Sequence, residues 1–262
     1  PSVGCDAEVK VYEKNPNKST DKLSDVIKSD ISFLSVPTPS NLDGSMNIDI
    51  VDGALSDIDE YGTNAVILLR STVVPGTTKK LQDKYPNLRL VFNPEFLTER
   101  SANFDFINHD RVILGGDIND VKVAEDLFKS RFGSTLSILK TNYETAELIK
   151  YMTNTFFATK ISFLNDMKLI ADKSGVIWED AIDGFIRDGR VGHSHLNVPG
   201  HDGKYGFGGS CFPKDIQALI NFGKELGVEM SVLEGAWKTN LKVRPERDWE
   251  NLKGRAIVDE DN

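Results

Sequence analysis

Cysteine is nearly absent from this 262-residue chain: there are two, Cys5 and Cys211, far apart. Two such residues make neither a disulfide framework nor a zinc knuckle. They suit a reducing cytoplasm, the expected location, where a lone cysteine can be a working thiol. Long apolar runs are missing too. No stretch approaches the roughly 20 residues of a membrane span, and no secretory leader is read at the start, so no membrane partner is expected. There is no basic surplus either. Net charge is −9, with no basic stripe, which argues against nucleic acid as a partner. Repeats and low-complexity tracts are also lacking. What remains, 39% hydrophobic and 27% charged residues, is an ordinary globular composition with enough chain for one large domain or two smaller ones.

Short β-rich runs alternate with helical stretches through the first half. The runs are Ala7 to Glu13, Ile31 to Val36, Ala65 to Ser71, Leu88 to Phe92 and Arg111 to Leu114, and Asn47 to Tyr61 and Val121 to Phe132 can supply helices between them. Such alternation predicts an α/β fold with a Rossmann-like parallel sheet, here over residues 1–141. Ligands on these sheets sit at the carboxyl ends of the strands. Those ends carry Glu13, Pro37-Thr38-Pro39, Ser71-Thr72 and Asn93-Pro94-Glu95. From Asn142 to Ser174 there is neither Gly nor Pro, which permits one central helix of roughly 45 Å. Its two apolar rows, Leu148/Met152/Phe156 and Ile149/Phe157/Ile161/Leu164, predict burial on more than one side, as in a spine between domains or the two copies of a homodimer. An all-helical domain follows, residues 142–243 in all, interrupted by a loop from Gly189 to Gly209. Residues 244–262 read as a polar, peripheral tail.

The densest chemistry lies in Gly206-Phe207-Gly208-Gly209-Ser210-Cys211-Phe212-Pro213-Lys214-Asp215. Glycines allow close approach of a ligand to the backbone. Pro213 and Asp215 suit a helix first turn, and Gly227 suits its end, near Leu226. A helix N-terminus beside Lys214 suits a nucleophilic cysteine. A lone cysteine is by default a buried, inert residue; the surrounding pattern argues otherwise. His193, His195 and His201 do not match the spacing of a closed zinc site, and nothing orients one onto Cys211 as a hydrolase requires. No metal is expected.

This decapeptide resembles the cysteine signature of the UDP-glucose/GDP-mannose dehydrogenase family, closest to its UDP-glucose members. Five other segments resemble family motifs in the family's order: Val36-Pro37-Thr38-Pro39, Ser71-Thr72-Val73, Asn93-Pro94-Glu95-Phe96-Leu97-Thr98-Glu99, Ala146 to Asn154, and Asp188-Gly189-Arg190-Val191-Gly192. The resemblance implies NAD as cofactor and a nucleotide sugar, UDP-glucose, as substrate, oxidised twice through a cysteine thiohemiacetal and thioester. It implies that Cys211 is the nucleophile and that Lys150 and Asn154 serve the oxyanion. Glu95 or Glu99 would be the general base, with Thr72 and Asp215 holding water. NAD would be bound by Glu13, Lys18, Val36, Pro37, Thr38, Ser71, Thr72, Glu99 and Lys214. Substrate would be bound by Glu95, Phe96, Leu97, Glu99, Lys150, Asn154, Arg190, Gly206, Phe207, Gly208 and Phe212, Arg190 reaching across a dimer interface.

The pattern also departs from the family. The first strand and its Gly-x-Gly-x-x-Gly turn should precede Glu13, and Pro1 to Asp6 cannot supply them; a third domain should follow about residue 250. The Arg190 to Cys211 stretch is a few residues longer than usual, His195 stands where an aromatic or apolar residue is common, and Arg70 replaces a lysine. The chain as given is therefore expected to bind NAD poorly beside an intact catalytic cleft. The alternatives are GDP-mannose 6-dehydrogenase chemistry, or a non-catalytic nucleotide-sugar-binding module.

Overall fold

The structure, a computed structural model, describes residues 7–15, 17–97, 101–108 and 111–259. The elements in chain order are α1 (Leu23–Val26), β1 (Ile31–Leu34), α2 (Asp49–Tyr61), β2 (Val66–Leu69), α3 (Thr77–Lys84), β3 (Arg89–Phe92), α4 (Ala102–Ile107), β4 (Arg111–Gly116), α5 (Ile118–Phe132), β5 (Ser137–Thr141), α6 (Tyr143–Ser174), α7 (Trp178–Ile186), α8 (Cys211–Glu225), α9 (Ser231–Val243) and a 3₁₀ turn (Asp248–Asn251). Two compact units result. One holds the chain up to Thr38 together with Ile48–Lys150; the other holds Pro39–Asn47 and the chain from Tyr151 onward.

The first unit is built on a five-stranded sheet of order β1-β2-β3-β4-β5. Val66–Leu69 is apolar throughout and fully buried, as a strand covered on both faces must be. α5 lays Val121, Ala124 and Phe128 against Val66, Leu68, Val91, Val112 and Leu114, each large side chain contributing about 1.5–3 kcal/mol on full burial. Its start is capped by Asp117, whose carboxylate accepts from Asn119 N at 2.8 Å.

Three expectations about this unit need correction. Ala7 to Glu13 is not a strand: Val9, Val11 and Tyr12 are exposed. Val11 O accepts instead from the N–H groups of Thr20 and Asp21. An extended segment needs a paired neighbour, and β propensity alone does not hold one. Second, the sheet is not wholly parallel. β4 runs antiparallel to β3 through the pairs Val91↔Gly116 and Phe92↔Gly115, then parallel to β5. A run buried on both faces carries no record of its direction. Third, β5 escaped the sequence reading because its alternation is weak and it lies at the sheet edge.

In the second unit α6 packs Leu164 with Leu196 and Val198, flanked by Trp178, Ile182 and Ile186 of α7. The Ile149/Phe157/Ile161/Leu164 row is buried or half-buried, whereas Met152, Phe156, Phe163 and Ile170 are 50–62% exposed. α8 ends as predicted, with Gly227 at φ +71°, a conformation open to glycine at little cost. The stretch expected as a peripheral tail is packed: Arg244, Trp249 and Ala256 are buried, and Ser40 N donates to Ala256 O while Val258 N donates to Ser40 O. Among the described residues no helix is long and apolar enough to cross a membrane.

Candidate active site

In the first unit, the turns after β1 and β2 are laced together. Ser71 Oγ accepts from Val36 N at 3.0 Å and donates to Val36 O at 2.7 Å; Thr38 Oγ1 donates to Thr72 O at 2.9 Å. This brings Val36, Pro37, Thr38, Ser71 and Thr72 to the carboxyl edge of two parallel strands, where a dinucleotide fits. Glu13 and Lys18 are not on a strand end. They lie exposed in a loop, where Glu13 Oε1 accepts from Asn15 N and Lys18 N donates to Asn15 O. The strand meant to end in Glu13 did not form.

Beyond β3, Asn93 donates to Ile113 O at 3.0 Å and accepts from Arg70 Nη1 at 2.8 Å. Glu95 follows, its Oε2 accepting from Leu97 N at 2.7 Å. Lys150 of α6 donates to Glu95 O and lies 3.4 Å from Glu95 Oε1. It is 4% exposed, so it is no surface lysine. Its ammonium lies 5.4 Å from the centre of the Phe96 ring, on which Arg111 also stacks at 4.8 Å. Thr98 and Glu99 lie outside the described residues.

One residue went unassigned in the sequence reading. Glu147 is 0% exposed, and its carboxylate accepts from Gly76 N at 2.6 Å, Thr78 N at 2.7 Å and Thr78 Oγ1 at 2.6 Å. Burial pushes its pKa up to about 7 against the pull of these three donors. An acid on the buried side of a helix was the available signal.

In the second unit, Cys211 is the exposed first residue of α8, its Sγ 3.8 Å from Ser210 Oγ. One turn on, Asp215 is 1% exposed and accepts from Lys214 Nζ and from Asn154 Nδ2, each at 2.6 Å. The helix thus begins on a free thiol over a buried, fully paired carboxylate. Phe207 is buried against Phe212, ring centres 6.1 Å apart. His195 stacks on Phe157 at 4.1 Å; burial, then the charge of Lys160, depresses its pKa. Arg190 is exposed and paired with Asp188 of its own loop. Cys5 lies outside the described residues. Among the described residues no cluster of three or more His, Cys, Asp or Glu is arranged to hold a metal.

Comparison with known proteins bears on both units. Residues 7–131 match the NAD binding domain, and residues 144–242 the central domain, of the UDP-glucose/GDP-mannose dehydrogenase family. The UDP-glucose 6-dehydrogenase TuaD of Bacillus subtilis is 34% identical over 253 residues, 93% of this chain and 53% of its own. The UDP-glucose 6-dehydrogenase AglM of Haloferax volcanii is 31% identical, covering 96% of this chain and 61% of its own. Among solved structures, a UDP-glucose dehydrogenase from the hyperthermophilic archaeon Pyrobaculum islandicum matches with a TM-score of 0.74 at 32% identity, over 87% of this chain and 53% of that one. The chain spans about half the length of the curated relatives it matches.

Proposed function

Because the chain belongs to the UDP-glucose/GDP-mannose dehydrogenase family, over its NAD-binding and central domains, we propose that it serves the NAD-dependent oxidation of UDP-glucose to UDP-glucuronate. The observation that carries this reading is the start of α8, an exposed Cys211 one turn before the buried Asp215, itself held by Lys214 and Asn154. NAD would be held by Val36, Pro37, Thr38, Ser71 and Thr72 and would supply a hydride acceptor for each of two oxidations. Once the sugar alcohol is an aldehyde, Cys211 Sγ adds to its carbon and the thiol proton passes to the carbonyl oxygen. Loss of the second hydride and a proton from this thiohemiacetal leaves a thioester. Water then cleaves it, releasing the acid and restoring the thiol.

Lys150, a buried cation, and Asn154, an amide donor, stabilise the oxyanion. Glu95 or Glu99 takes the proton of the attacking water, with Thr72 and Asp215 placing it. Phe96, Leu97, Arg190, Gly206, Phe207, Gly208 and Phe212 contact the nucleotide sugar. The exposed row Met152, Phe156, Phe163 and Ile170 is the face through which two copies pair. Sedimentation is expected to give a dimer that Phe156→Asp dissociates; a parent monomer overturns that part. A reducing cytoplasm keeps Cys211 a thiol. Cys211→Ser is expected to abolish UDP-glucuronate release by the active enzyme, with calorimetric UDP-glucose binding near the parent's. Acid production near the parent rate would remove the central claim.

A further inference from the structure

The backbone just ahead of Cys211 is gripped from three elements of the second unit. Gly206 N donates to Asn165 Oδ1 on α6 at 2.9 Å. Phe207 is held on both sides by Asn240 of α9, its N–H donating to Oδ1 at 2.8 Å and its carbonyl accepting from Nδ2 at 3.0 Å. Gly209 N donates to Asp248 Oδ2 at 3.1 Å. Arg244 stands behind Asp248: its Nε donates to Asp248 Oδ1 at 2.6 Å, and its other nitrogens reach Asp202 at 2.6 Å and Tyr205 O at 3.3 Å. Asn240 is 0%, Asn165 1% and Arg244 3% exposed.

Buried amides and charges persist only when bonded. Asn240 spends both ends of its side-chain amide on the backbone of one residue. The glycines answer to the same packing. A Cβ at Gly208 would lie 2.5 Å from Arg244 Nη2 and from Asp248 Oδ1, and one at Gly206 would strike Asn240 Oδ1. Three of the loop's N–H groups are thus already committed to the protein's own side chains.

We propose that Asn165, Asn240 and Asp248, with Arg244 behind Asp248, are positioning residues that set where Cys211 is presented. The proposal rests on Cys211 being the nucleophile. Arg244 and Asp248 lie beyond residue 242, where the match to the family's central domain stops. The working surroundings of Cys211 therefore extend into the stretch whose polar sequence suggested a tail.

Alkylation of Cys211 by iodoacetamide, in a Cys5→Ser background that leaves one thiol, reads the presentation directly. Asn240→Ala and Asp248→Ala are expected to change the rate about fivefold or more, the scale of one lost hydrogen bond in a loop equilibrium. Asn165→Ala should do likewise, and Asn165→Asp, which keeps the accepting oxygen, should stay near the parent. Ser162→Ala is the control for general loosening, because it removes the buried bond from Ser162 Oγ to Ala236 O at 2.8 Å without touching the loop. It should lower the melting temperature and leave alkylation unchanged. Should Asn240→Ala fail to fold, Gly208→Ala, whose Cβ would press on Arg244 Nη2 and Asp248 Oδ1, disturbs the grip from the loop side. Unchanged rates in Asp248→Ala and in Asn240→Ala or Gly208→Ala overturn the proposal, as does an equal change in Ser162→Ala. Alkylation needs neither cofactor nor substrate, so this result stands or falls apart from the dehydrogenase reading.

Discussion

Two loops carry the proposed chemistry, one in each unit, and both are held by side chains that reach from helices to backbone N–H groups. The loop from Ser71 to Gly76 is tied at its far end by Glu147, a buried acid whose pKa burial pushes to about 7. The loop ahead of Cys211 is tied by two amides and by Asp248. Burial works against the charge of Asp248, yet Arg244 and the Gly209 N–H outweigh it and hold its pKa below the ordinary carboxylate range. The same mechanical task is thus done once by a group that titrates near neutrality and once by groups that do not. The strand-end loop is therefore expected to respond to pH near neutrality, and the clamps of the cysteine loop are not.

The largest effect expected within the first unit is kinetic. Lys150→Ala removes a buried cation that donates to Glu95 O, and turnover should fall by about 10²-fold or more, the scale of a lost oxyanion donor. A steady-state assay showing less than about a threefold loss would count against its role.

Glu147→Gln sharpens the comparison with a smaller effect. The amide resembles the protonated acid, which also keeps one carbonyl acceptor, so at pH 5 the two should differ by less than about 1 kcal/mol. The pH dependence has a definite sign. Between its unfolded value of 4.5 and its folded value of about 7, Glu147 keeps its proton in the native state and loses it when unfolded. Its contribution is fully present below that window and is lost as pH rises through it, by up to about 1.4 kcal/mol per unit. Urea titrations should show the parent losing stability relative to Glu147→Gln from pH 5 to pH 7.5. A constant gap would mean that Glu147 is not a titrating clamp. The same series on Asn240→Asp and its parent has no reason to show a break near pH 7 from the parent side.

Much of this was legible in the chain. The absence of Gly and Pro placed α6 to within one residue at its start, since nothing in that stretch interrupts a helix. The α8 boundary and the burial of Lys150 followed from motif and apolar rows. The partners of Glu147 were not legible, because they lie 69 to 71 positions earlier; its place on the buried side of the helix pointed to burial and not to what it binds. Arg244 and Asp248 hid for the same reason: a polar stretch gives no sign that its charges neutralise one another inside. Residues 7–13 misled in the opposite sense, because β-rich composition does not say whether a neighbouring strand is there to pair with.

The antiparallel seam between β3 and β4 has a consequence for how the first unit assembles. β4 and β5 pair at five positions, from Arg111↔Ser137 to Gly115↔Thr141, across the single helix α5, while the seam itself offers two. Loop closure does not separate the two pairings, because both join residues about 25 positions apart; the longer ladder of the β4-α5-β5 block favours it over the joining of that block to β3. Kinetically, the block is expected to form early and the seam to close late. Truncating Ile138 should then slow refolding, whereas truncating Val91 should mainly speed unfolding. The reverse partition in stopped-flow refolding would place the seam in the nucleus. On this expectation the reversed strand makes the sheet a product of two assembly steps, with the Glu95 loop springing from the line where they join.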